Sequence, residues 1–190
     1  MSAPVGVVLA GGAGRRMGGD KALAPLAGRP LLDHVLAALR TVLGEVVVAA
    51  KDDTALPPLP AGVAVWRESG EEERHPLLGI REALRRAAGR AVLVAAVDLP
   101  LVTPSDLRAL LAAGASDRAV LARAAGRPQP LLALYPPAAL AVLDAMGASE
   151  PATTVALRLD PLLVDLPPGR LLNINDAADL ARAEALVSRT

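Results

Sequence analysis

Residues 5–21 read VGVVLAGGAGRRMGGDK, and the fold turns on the join inside this stretch. Its first six residues form an apolar run with no polar position, the pattern of a strand buried on both faces. The eleven that follow hold five glycines together with Arg15, Arg16, Asp20 and Lys21. A buried strand that ends in glycine and positive charge places a ligand loop at the carboxyl edge of a parallel sheet. Glycine lets backbone N–H groups come close to a ligand, and the guanidinium forks and the ammonium suit a phosphate chain. Two familiar phosphate loops do not fit. Asp20 separates Gly19 from Lys21, which breaks G-x-x-x-x-G-K-[ST], and Met17 stands where G-x-G-x-x-G needs its third glycine.

Outward from this join, short apolar runs alternate with longer amphipathic stretches, the pattern of βα units around a parallel sheet. The sequence predicts strands at 5–10, 45–50, 62–66, 91–97, 119–123, 131–135 and 162–166. It predicts helices at 30–42, 76–88, 104–113, 136–147, 151–158 and 176–188. The Pro-rich stretch 56–61 and the acidic stretch 68–74 read as loops. The expected architecture is one domain spanning residues 1–190, a three-layer α/β/α Rossmann-like fold with a mostly parallel central sheet.

Composition narrows the function. Lysine plus arginine equals aspartate plus glutamate at 20 each, so the net charge is zero. That balance argues against a general binder of nucleic acid or of membrane surfaces. Without cysteine there is no disulfide framework or thiolate metal site, and no apolar run has the length of a membrane helix. A cytoplasmic protein is the expectation. The polar residues are strongly biased: arginine occurs 18 times, lysine only at Lys21 and Lys51, asparagine only at Asn173 and Asn175, and glutamine only at Gln129. Residues that escape the bias become informative, and Lys21 lies in the glycine loop.

A second strand end carries a carboxylate. In AVLVAAVDLPLVTPSDL (residues 91–107) Asp98 stands where a buried run stops. Thr103, Pro104 and Asp106 already supply the start of the next helix, which leaves Asp98 to face the site. A hard carboxylate opposite a phosphate loop suits Mg²⁺, with substrate phosphates completing the coordination.

With these residues in view, the chain resembles the nucleotidyltransferases that act on molybdopterin and sugar phosphates, and within them the molybdenum cofactor guanylyltransferases. The resemblance rests on LAGGAGRRMGGDK followed by ALAPLAGRPLLDHVL, then HPLLGI (75–80), VDLPLVT (97–103), RPQPLLALY (127–135) and LLNINDAADL (171–180). It implies transfer of GMP from GTP to the molybdopterin-bound cofactor, with pyrophosphate released and Mg²⁺ required. Leu9, Ala10, Gly11, Gly12 and Gly14 would bind the nucleotide, Lys21 its phosphates, and Asp98 both nucleotide and metal. Arg15 and Arg16 would join Lys21 and Asp98 in catalysis. Glu68 falls where the family usually has a nucleotide-contacting aspartate. The family's asparagine after the second strand has no counterpart in VVVAAKDD, and His75-Pro76-Leu77 replaces its GPL. Gln129, Asn173 and Asn175 would bind the acceptor, and molybdenum-cofactor insertion or recipient enzymes would be partners. Neither His34 nor His75 is expected to act in catalysis. Rival readings are a cytidylyltransferase on the same cofactor, a sugar-phosphate nucleotidyltransferase, or a catalytically silent nucleotide-binding regulator. The LAGG sequence favours guanine, and the presence of both Lys21 and Asp98 speaks against the silent regulator.

Overall fold

The structure, a computed structural model, describes residues 2–11, 21–68, 75–114, 117–147 and 149–188. Along the chain, β1 (Val5–Leu9) precedes a small antiparallel hairpin of β2 (Pro25–Leu26) and β3 (Arg29–Pro30), which leads into α1 (Leu31–Arg40). β4 (Val46–Lys51), β5 (Ala64–Glu68), α2 (Leu78–Arg86), β6 (Val92–Ala96) and α3 (Pro104–Ala113) follow. The second half contains β7 (Val120–Ala124), β8 (Arg127–Tyr135), α4 (Ala139–Asp144), α5 (Ala152–Leu157), β9 (Leu162–Asp165) and α6 (Ala177–Val187).

Seven strands make one sheet in the order β5-β4-β1-β6-β8-β7-β9. Only β8 runs against its neighbours, pairing antiparallel with both β6 and β7. The apolar runs are strands because alternate residues feed opposite cores. Val8 of β1 and Val48 of β4 pack with Leu32, Val35, Leu36 and Leu39 of α1 and with Leu107 and Leu110 of α3. Val5, Val7 and Val47 face the other way, onto Ile80, Ala83 and Leu84 of α2, Leu143 of α4 and Val155 of α5. The expected three-layer arrangement is present. Among the described residues no helix is long and apolar enough to cross a membrane.

Three details depart from the sequence reading. The β2–β3 hairpin was not anticipated, because two-residue strands carry no periodicity. Glu68, assigned to a loop, is the last residue of β5 and pairs in register with Lys51.

The third departure is β8, which begins at Arg127 rather than at 131. Two prolines in RPQP argue against a strand, but a bulge accommodates them: Leu121 pairs with Ala133, yet Ala122 pairs with Gln129. The hydroxyl of buried Tyr135 donates to the Pro130 carbonyl at 2.9 Å, giving a polar group at the irregularity a partner. Burial pushes the Tyr135 phenol well above the usual tyrosine range.

Candidate functional site

The sheet reverses direction of growth at the β1/β6 junction: β4 and β5 extend from one side of β1, and β6 starts the other side. Ligands of open α/β sheets bind at such a switch point, beyond the carboxyl ends of the strands. Leu9 is the register partner of Ala49 on β4 and of Ala96 on β6. Two residues further along the chain from these three lie Gly11, Lys51 and Asp98. The junction is tight, with Val97 N–H donating to the Leu9 carbonyl (3.0 Å) and Ala10 N–H to the Ala49 carbonyl (2.8 Å). Leu9 ends β1 and the buried Ala10 follows it, so the two deliver Gly11 to the edge. Gly12, Gly14, Arg15 and Arg16 lie outside the described residues, as does the 69–74 segment.

Lys21 opens a single 3₁₀ turn (Lys21–Leu23) at the far end of the glycine loop. Its ammonium lies 3.2 Å from Asp98 Oδ2 and donates to Asn175 Oδ1 at 2.9 Å. Both charged side chains are substantially sheltered, Lys21 at 10% and Asp98 at 20% exposure. An ion pair in such a setting is stronger than at an open surface because less water screens it. The backbone reinforces the contact: Ile174 N–H donates to the Asp98 carbonyl at 2.9 Å, with the Ile174 side chain fully buried. Residues 21, 98 and 173–175, far apart in sequence, therefore meet at one place.

The segment before α6 is held from below. Asp176 caps the helix by accepting from Asp179 N–H, and the Asp179 carboxylate accepts from Asn175 N–H, both at 2.9 Å. Arg182 also donates to Asp179. The Asn175 amide, then Arg182, hold the Asp179 carboxyl below the usual carboxylate range. On the neighbouring strand Gln129 Nε2 donates to Asn173 Oδ1 at 3.1 Å. Two of the three residues assigned to the acceptor thus touch each other. Asn175 instead touches Lys21, a contact invisible in sequence because 154 positions separate the pair. Gln129 sits in β8 itself, in the part of the strand that precedes the predicted 131–135.

The helix start at Thr103 is the expected capping box with Asp106, so Asp98 has no capping duty there. Both histidines have structural partners. His34 Nε2 lies 2.9 Å from the Leu26 carbonyl. His75 accepts at Nδ1 from Leu77 N–H (3.2 Å), so its Nε2 is the donor to the Glu150 carbonyl at 2.7 Å. Lys51 is a residue the sequence reading passed over. A Cβ placed on Gly11 would lie 3.4 Å from Lys51 Cγ, and its rarity as one of two lysines was the available signal.

Comparison with known proteins places the chain in a family and agrees with its fold. The family described as MobA-like NTP transferase domain matches residues 6–161. The chain is 38% identical over 189 residues to the molybdenum cofactor guanylyltransferase of Rhodobacter capsulatus, covering 94% of each chain. It is 37% identical over 191 residues to the enzyme of that name from Cereibacter sphaeroides, covering 97% of each. Its fold is similar to the crystal structure of molybdopterin-guanine dinucleotide biosynthesis protein A from Archaeoglobus fulgidus, with TM-score 0.74, 26% identity, and coverage of 98% of this chain and 100% of that one.

Proposed function

This chain belongs to the MobA-like NTP transferase family, and on that premise we propose that it transfers GMP from GTP to the molybdopterin-bound molybdenum cofactor. The products are the guanine dinucleotide cofactor and pyrophosphate. The observation that supports a transferase is the meeting of Lys21, Asp98 and Asn175 at the β1/β6 switch point. Guanine rather than another base is supported by the names of the similar proteins.

An oxygen of the acceptor's terminal phosphate forms the new bond to the α-phosphorus of GTP, and the bond from that phosphorus to the pyrophosphate oxygen breaks. Such transfers need little covalent chemistry from the protein; it must align the partners and oppose negative charge. Gly11 brings its backbone N–H group to the nucleotide, a role the sequence extends to Gly12 and Gly14. The Lys21 ammonium, with Arg15 and Arg16, holds the phosphates and stabilises the departing pyrophosphate. Asn175 keeps the ammonium aimed, and Gln129 with Asn173 offers amide donors and acceptors to the cofactor.

Mg²⁺ fits the donor set. One or two sheltered carboxylates facing a phosphate site are the usual protein share of a Mg²⁺ site. Asp98 would hold it, and the ion would polarise the phosphate oxygens when bound. Calorimetric titration with GTP, ATP and CTP, each with Mg²⁺ in one buffer, tests the reading. GTP should bind most tightly, and CTP binding as tightly as GTP would overturn the guanylyl assignment.

A further inference from the structure

Lys51 ends β4 at the ligand edge of the sheet. Its stem packs beside Gly11, where the glycine loop leaves β1, and the residue is only partly exposed. Its backbone is pinned. Arg67 Nη1 donates to the carbonyls of Lys51 (2.6 Å) and Thr54 (3.0 Å), Thr54 N–H donates to the same Lys51 carbonyl at 3.1 Å, and Arg86 Nη2 fixes the Arg67 carbonyl at 2.7 Å. Among the described residues the ammonium has no carboxylate partner, although Asp52 and Asp53 follow it directly. A cation on a pinned strand end, with no carboxylate partner among the described residues, at a ligand edge, in a chain that otherwise uses arginine, calls for a ligand acceptor.

Position decides which part of the ligand. β4 and β6 flank β1, so two strand spacings, about 10 Å, separate Lys51 from Asp98 across the sheet. That is roughly the reach from a nucleotide's α-phosphate to its base. With the phosphates at Lys21 and Asp98, a nucleotide laid along the strand ends toward β4 would bring its base to Lys51. Guanine presents the acceptors O6 and N7 on one edge, whereas adenine replaces O6 with an amino donor, and lysine is a natural partner for the guanine pair. The ammonium has three donors and no acceptor, so it attracts O6 and repels an amino group in the same place.

We infer that Lys51 is a specificity-determining residue whose ammonium donates to O6 of the bound guanine. The inference rests on the guanylyl-transfer reading above. The test measures binding of GTP, inosine triphosphate, which keeps O6, and 2-aminopurine riboside triphosphate, which lacks it. Wild type is compared with Lys51→Met, which preserves the stem, and with Lys51→Arg, which preserves the charge. The loss of a base-edge contact should weaken GTP and inosine triphosphate about tenfold in Lys51→Met, while the 2-aminopurine nucleotide changes little. Lys51→Arg should recover part of the loss. An equal loss for all three nucleotides would put the ammonium on phosphate and overturn the inference, as would no change in any. These outcomes are read within purines, so they are distinct from tight CTP binding by wild type, which would overturn the guanylyl reading itself.

Discussion

At the scale of single residues, the Lys21–Asp98–Asn175 contact joins the two ends of the chain at one ammonium. Lys21→Ala and Asp98→Asn should leave the fold intact, because both side chains lie at the sheet edge and neither belongs to the apolar cores. Turnover should fall about 10²–10³-fold for each, the usual scale when a donor or charge facing a developing anion is removed. Normal steady-state rates with saturating GTP and Mg²⁺ would refute the assigned roles. Asn175→Ala should be milder. It removes one hydrogen bond to a charged group, about 1.5–3 kcal/mol, and should lower kcat without changing the acceptor KM. Lys21 was legible from sequence as the one lysine of the glycine loop in an arginine-rich chain, and Asp98 because it stands where a buried run ends. The Asn175 contact was not, since nothing local to residue 175 signals a partner 154 positions away.

At the scale of elements, the bulged strand β8 and the segment before α6 form the second half of the site. Gln129→Ala and Asn173→Ala should each raise the KM for the molybdopterin substrate several-fold, the value of about 1 kcal/mol per neutral hydrogen bond, and leave GTP affinity unchanged. Kinetics that vary each substrate separately check this, and an equal loss for both substrates would deny an acceptor site. Asp179 links the segment to pH. Its carboxyl is held low in the folded state, so it contributes stability above the ordinary carboxylate range of about 4. That contribution disappears as pH falls through the lowered value. Asp179→Asn should therefore be less stable than wild type at neutral pH and lose less on acidification, as followed by urea unfolding at a series of pH values. Helix starts at Thr103 and Asp176 follow local rules and were readable. The extension of β8 was hidden because Pro128 and Pro130 read as strand breakers, and only the hydroxyl of Tyr135 on the same strand shows how one of them is accommodated.

At the scale of the whole molecule, all seven strands of the main sheet share one hydrogen-bonded array, and core clusters cover both of its faces. We expect the chain to unfold as one unit, with calorimetric and van't Hoff enthalpies that agree; two separated transitions would show independent halves. The alternation of apolar runs and amphipathic stretches was enough to read this architecture, and the one reversed strand was not visible because parallel and antiparallel core strands share the same apolar character. Tyr135 turns the architecture into something an optical experiment can follow. It is the chain's sole phenol, sealed in the sheet, so phenolate absorbance comes from one site alone. Because the unfolded chain gives up that proton near pH 10 and the folded chain holds it higher, alkali drives unfolding through this residue. The ultraviolet rise on alkaline titration should therefore coincide with loss of the far-ultraviolet dichroism, making a tyrosine remote from the switch point a built-in dye for the integrity of the sheet.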